Sequence, residues 1–269
     1  MVFKYDKYLV RLLDKNNKDE LVEIQKLRYD YLLRDFNPEL PPNGIDDDGY
    51  DKNADCIVVI DTENGKKVGT YRVASLETNL NKLFVDEEEF NIDSLKNCGA
   101  NILELGRAVV HADYRNGIVI QLLWSAIYRY AIEHKCKYMF GTCSLHSTNP
   151  SKYANVFCYL KQNKVAEVEV FAKEPKFEFD FANEYSEEKL KEEMPSLLRT
   201  YLSIGAKVSR NGFIDYSFNC CDVVTVIEVA KINPLYARKF AKMSSLGNDW
   251  KNLKAQIKIL CFLFLDINS

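Results

Sequence analysis

The 269-residue sequence predicts a single α/β domain with extensions. Three observations carry this. Strand-like runs and amphipathic helical stretches alternate along most of the chain. The run 138–144 is apolar or small throughout, as expected for a strand buried on both faces. No internal repeat, low-complexity linker or sharp charge break divides the chain.

In chain order, residues 8–13 read as a short strand. Residues 19–36 read as a helix, with Leu21, Ile24, Leu27, Tyr31 and Leu32 on one face and Asn17 or Asp19 as its cap. Pro38, Pro41, Pro42 and Gly44 then break regular structure. Runs 56–61 and 68–75 form a hairpin about Asn64-Gly65. A charged stretch, helical or irregular, reaches Asn97. A strand spans 102–110, a long helix 117–134 and the buried strand 138–144. A helix opens at Asn149-Pro150. The second half is less regular: strand-like pieces across 165–181, helices over 187–193 and 196–204, an apolar strand over 221–230, and a helix from Asn233-Pro234 to Met243. The expected division is one domain over 1–245 and a helical tail over 246–269.

Composition sets limits. Apolar residues make up 47% and charged residues 28%, which suits a globular chain with a sizeable core. A net charge of −3 argues against bulk attraction to nucleic acid, and leaves local basic patches open. The eight cysteines include no CxxC pair, and Cys220 and Cys221 are adjacent. They read as reduced, mostly buried thiols of a cytoplasmic protein, with a zinc site as the lesser alternative. No signal peptide is visible. The late apolar run 257–267 is interrupted by Lys258 and Asp266 and falls short of the roughly 20 residues that span a bilayer. It reads as a buried terminal helix, with peripheral membrane contact left open.

Residues 104–117, ELGRAVVHADYRNG, concentrate the chemistry. A strand, an Arg-Asn-Gly turn and a long helix can form an anion site, because helix N-terminal N–H groups carry partial positive charge. Arg115 would add a full charge, and Gly117 close backbone approach. A tight turn that merely contains these residues is the competing reading. Glu104 and Arg107 place opposite charges on an otherwise apolar strand, which is costly without purpose. In strict alternation Glu104 and Arg107 fall on opposite faces. Glu104 reads either as half of an ion pair or as the base that takes a proton from an attacking amine. Arg107 reads as its orienting partner, or as a fork for an acceptor carboxylate.

This segment, followed by YMFGTCSLHSTNP over 138–150, resembles the donor-binding core of the GNAT fold. It is similar in particular to the ornithine-lipid type N-acyltransferases that use acyl carrier protein, relatives of acyl-homoserine-lactone and N-acyl amino acid synthases. DDDGYDKNADCIVVID and VGTYRV upstream, and MPSLLRTYLSIGAKV and FIDYSFNCCDVVTVIE downstream, extend the resemblance in order from Arg28 to about Phe240. It implies a mixed central sheet flanked by helices, with a C-terminal extension. It implies acceptor-side roles for Arg28, Asp48, Asp51 and Arg72, with Arg72 pairing the acidic loop, and catalytic roles for Glu104 and Arg107. Donor contacts fall to Val109, Val110, Arg115, Asn116, Gly117 and Ser144. Val119 and Ile120 replace a second small residue after the turn, which fits a carrier-protein donor better than coenzyme A.

The implied activity is transfer of a fatty acyl group from acyl carrier protein, or acyl-CoA, to the amine of ornithine or another amino acid. Arg28, Arg72 or Arg107 would place the acceptor. No cofactor or metal beyond the donor is expected, and no covalent acyl-enzyme. Two alternatives stay open: an acyl-homoserine-lactone synthase and a non-catalytic binder of acyl carrier protein or lipid. The acidic run 46–55 also reads as a solvated loop, and it lacks a calcium-loop pattern. His111 with Asp113 reads as part of the turn, and His146 as structural more readily than catalytic. Arg129, Lys135, Lys137, Lys152, Lys161 and Lys164 read as a solvated face or as a dock for an acidic carrier protein. Phe84, Phe90, Leu95 and Tyr128 read as core or as an acyl tunnel.

Overall fold

The computed structural model describes residues 1–79, 81–181 and 183–244; the expected tail over 246–269 lies outside the described residues. Twelve strands are present among them. They are β1 (Val2–Tyr5), β2 (Tyr8–Leu12), β3 (Asp55–Asp61), β4 (Lys67–Ser75), β5 (Phe90–Asn91), β6 (Asn101–Val110), β7 (Cys136–Leu145), β8 (Phe171–Ala172), β9 (Lys176–Phe177), β10 (Lys207–Val208), β11 (Gly212–Asp215) and β12 (Cys220–Glu228). Ten build one sheet in the order β1-β2-β3-β4-β6-β7-β12-β11-β9, with β10 beside β12; β5 and β8 pair separately. Every neighbour in the large sheet is antiparallel except β6 and β7.

The expected β3–β4 hairpin, β6, β7 and β12 are present with small shifts at their ends. The strand β1 is an addition: it pairs with β2 through a turn in which Asp6 has a positive φ of 51°. Its four residues are too few to show a period. The helix expected over 19–36 is Lys18–Arg28, then a π-turn over Tyr29–Leu33 and a last turn at Arg34–Phe36. Asn17 caps it, accepting the Glu20 N–H at 3.1 Å.

The helix Ile118–Glu133 is the keel of the fold. It is apolar nearly all round because it is covered on two sides. Val119, Leu122, Leu123 and Ile127 lie buried in the main core with the sheet residues Val59, Val73 and Leu105. Trp124 stacks on Phe240 of the helix Pro234–Met243, with ring centroids 6.1 Å apart. Burying side chains of this size stabilises by roughly 1.5–3 kcal/mol each.

Two irregularities in β6 shape the neighbouring cleft. Gly106 pairs with Arg72 and Val109 with Thr70, so Arg107 and Ala108 together oppose Tyr71 alone. This is a bulge, and Arg107 takes the left-handed conformation with φ 52°. The pairing of β6 with β7 also ends at Glu104–Phe140, although both strands continue. They diverge, and the cleft opens between them.

Gly141 sits at the start of the divergence. A Cβ there would meet the Leu105 carbonyl oxygen at 2.2 Å. Gly141→Ala is therefore expected to lower stability by about 1–3 kcal/mol, the usual cost of overpacking. Urea unfolding checks this; an unchanged midpoint would mean the strands part freely.

Candidate active site

A cavity of about 390 Å³ occupies the cleft between β6 and β7. Its floor is Tyr71 and Arg72 of β4 and the residues from Glu104 to Ala108 of β6. Thr142 and Ser144, alternate residues of β7, face into it, as do Cys220 and Asp222 of β12. Phe36 and His146 close one side, stacked with centroids 4.2 Å apart, and Leu197 and Tyr201 another.

The acidic loop folds over this floor as an alternating charge network. Arg28 is fully buried and donates to Asp51 at 2.7 and 2.5 Å. Its Nε lies 2.8 Å from Asp46 Oδ2. Arg72 donates to both oxygens of Asp48, at 2.7 and 2.8 Å. Arg107 reaches Asp46 at 3.0 Å and Asp48 at 2.8 Å. Three arginines thus meet three aspartates. Burial opposes the charge on Asp48, but the Arg72 hydrogen bonds, helped by Arg107, win and bring its pKa down to about 2. The expectation that Arg28, Arg72 or Arg107 places the acceptor meets a competing fact: all three guanidiniums engage loop carboxylates. A new carboxylate ligand would have to share them.

The network also corrects the expected pairing of Arg107 with Glu104. Strict alternation set them on opposite faces; the bulge turns both towards the cavity, and Arg107 goes to the loop. Glu104 is held instead by the Asp86 backbone N–H, at 2.9 Å. Burial raises the Glu104 pKa, and repulsion from Asp86 adds to it, against the Asp86 N–H and the Arg72 charge. Its proton affinity therefore lies well above the usual carboxylate range, which suits a group that takes a proton near neutral pH.

The cavity wall holds further carboxylates that the sequence did not mark. Asp86, on the turn Val85–Glu88, accepts from Thr142 Oγ1 at 2.9 Å. Glu89 and Asp222 share the cavity wall with it. Burial raises the pKa of all three, and mutual repulsion raises that of Asp86 and Glu89 further. In sequence Asp86 and Glu89 look like any solvated acidic run. Asp222 did carry a signal: one carboxylate within CCDVVTVI. The ligand atoms of Asp215, Cys220 and Asp222 lie within 4.8 Å of one another, close enough for a metal ion. Burial, and then the neighbouring Asp222 and Asp215 carboxylates, raise the Cys220 thiol pKa.

The proposed donor residues divide. Ser144 lines the cavity, whereas Val109, Val110, Arg115, Asn116 and Gly117 are absent from its lining. Gly117 is left-handed at φ 90° and starts the long helix. Asn116 Oδ1 accepts the Ile118 N–H at 3.1 Å, using one helix-terminal donor. Arg115 donates to the Val110 carbonyl at 3.1 Å and to Asp35 at 3.0 Å. Asn116 borders a separate surface pocket with Lys7, Tyr8, Lys66 and Tyr114. His111 ties the turn to the first helical segment: Nδ1 accepts the Asp113 N–H at 3.2 Å, and Nε2 meets the Tyr31 hydroxyl at 2.8 Å.

Residues 27–125 match the acetyltransferase (GNAT) domain family. An L-ornithine N(alpha)-acyltransferase of Agrobacterium fabrum (strain C58 / ATCC 33970) is 30% identical over 82% of this chain and 81% of its own. The chain belongs to the L-ornithine N(alpha)-acyltransferase family. A second member, from Rhodobacter capsulatus, is 26% identical over 82% of this chain and 90% of its own. A solved structure of TofI in a ternary complex with an inhibitor and MTA covers 86% of this chain and 96% of that one. At 13% identity and a TM-score of 0.50 it shows the shared fold.

This acyltransferase thus has the expected mixed sheet and flanking helices. The suggested acyl tunnel is not assembled as expected: Phe84, Phe90 and Leu95 pack in one core cluster and Tyr128 in another, and none lines the cavity. The seven described cysteines are free, six of them buried. Among the described residues no helix is long and apolar enough to cross a membrane.

Proposed function

We propose that this acyltransferase moves a fatty acyl group from acyl carrier protein, or from acyl-CoA, to the α-amine of ornithine. The observation that carries the reading is Glu104, a buried carboxyl of raised pKa where β6 and β7 part. The thioester lies in the cleft, its carbonyl polarised by backbone N–H groups that lose their ladder partners there. Glu104 takes a proton from the amine, the C–N bond forms and the C–S bond breaks. The thiolate takes a proton as it leaves, and a second proton passes to solvent. The residues of the Arg115 turn bind the donor's phosphate, and the loop network holds the acceptor side closed.

The working unit is residues 1–245, in the cytoplasm, with peripheral membrane contact to hand over a lipid product. A carrier-protein dock would use the basic face, although Lys161 already pairs with Asp180 and Arg129 with Glu133. The test mixes the purified full chain with L-ornithine and palmitoyl-acyl carrier protein or palmitoyl-CoA. N-palmitoyl ornithine in the mass spectrum and release of free thiol are expected. Thiol release that does not depend on any amine, or no product with either donor, would overturn the reading.

A further inference from the structure

One acidic cluster, in the loop over the floor, pairs with the cavity arginines Arg72 and Arg107, and a second lines the cavity itself; their charge balance differs. Asp46, Asp48 and Asp51 are each matched by arginine. Asp86, Glu89 and Asp222 form no ion pair with lysine or arginine among the described residues. Each also keeps a buried oxygen without a hydrogen-bond donor: Asp86 Oδ2, Glu89 Oε2 and Asp222 Oδ1. Asp86 and Asp222 are only 6% and 1% exposed, so water does little to solvate them.

A buried carboxyl oxygen without a donor is costly, and a ligand that brings the donors removes that cost. Three acceptors converging on one wall suit a group with several N–H donors and a positive charge. A primary ammonium has three such donors and one charge.

We propose that Asp86, Glu89 and Asp222 form a subsite for the terminal ammonium of the acceptor's side chain. This inference rests on the amino-acid acyltransferase reading and deepens it. Glu104 meets the amine that is acylated, and the second cluster meets the amine that is spared. One cavity then tells the two amines of a diamino acid apart, because each faces a different carboxylate. Thr142 fixes Asp86 by donating to Oδ1 and so leaves Oδ2 directed to the ligand. Repulsion among the three carboxyls is relieved when the ammonium enters, so binding and neutralisation occur together.

The test compares L-ornithine with L-norvaline, which has the same carbon chain but ends in a methyl group. The purified full chain, with one acyl donor, is expected to favour ornithine by at least tenfold in kcat/KM. In Glu89→Gln and in Asp222→Asn, each nearly isosteric, the ratio of the two kcat/KM values is expected to fall at least tenfold. A smaller wild-type preference overturns the subsite. So does a ratio that stays within tenfold of wild type in both variants. Melting provides a readout independent of turnover: ornithine should raise the wild-type Tm more than norvaline does, and equal shifts overturn the assignment. Acylation of both amino acids at similar rates would sink the subsite and leave the acyltransferase reading standing. Acylation of neither would remove that reading itself.

Discussion

Replacing Glu104 by Gln is expected to lower kcat by about 100-fold or more, the scale of a lost general base. The amide keeps an oxygen that can accept the Asp86 N–H, so the local geometry should hold. What it loses is the ability to take a proton. The pH profile separates this from a structural effect. Burial and Asp86 raise the Glu104 pKa, so the wild-type rate should climb with pH through a value above the ordinary carboxylate range. The variant should lose that limb. The sign for stability is opposite. A carboxyl with a raised folded pKa keeps its proton longer in the native state than in the unfolded chain. Its contribution is complete below the ordinary carboxylate pKa and falls as pH rises towards the folded value. Full activity in the variant, with the limb intact, would take Glu104 out of the chemistry.

The second large effect is on stability. Asp51→Ala leaves the Arg28 guanidinium buried with its bidentate partner gone. Breaking a buried pair from one side costs about 3–5 kcal/mol. Asp47→Ala is the control. Asp47 is exposed and, among the described residues, accepts the Gly49 N–H, so its loss is expected to stay within about 0.5 kcal/mol. Urea unfolding of both variants decides this. Equal midpoints would mean that the loop network does not hold the fold together.

That contrast also shows where the sequence stops being legible. Asp46, Asp47, Asp48 and Asp51 are the same residue type within six positions, and composition treats them as one solvated run. The structure buries Asp46 and Asp51, half-buries Asp48 and leaves Asp47 in water. Which of them turns inward depends on Arg28 and Arg72, which come from distant elements. The β3–β4 hairpin, the strands β6 and β7 and the long helix were legible because period and turn chemistry are local. The bulge at Arg107 was not, since it appears only as a mismatch of register with β4. Alternation therefore gave Arg107 the wrong side. Asp222 was visible as an oddity in an apolar strand, but its neighbours Asp86 and Glu89 come from a stretch without period, more than 130 positions earlier.

The short parallel contact of β6 with β7 has a mechanical meaning. One side of the sheet, β1 to β6, is a chain of antiparallel neighbours, and so is the other, from β7 through β12 and β11 to β9. The two sides share ladder pairs only from Asn101 to Glu104. Beyond that point the joint is bridged by other elements, as two boards are held by battens along part of their edge: the helix Ile118–Glu133 packs across it, and Asp86 donates its N–H to Glu104 and accepts from Thr142. The unzipped length of the joint is the cleft itself. An extended molecule lying in it would act as a splint, closing with its own amides the edge that the strands leave open.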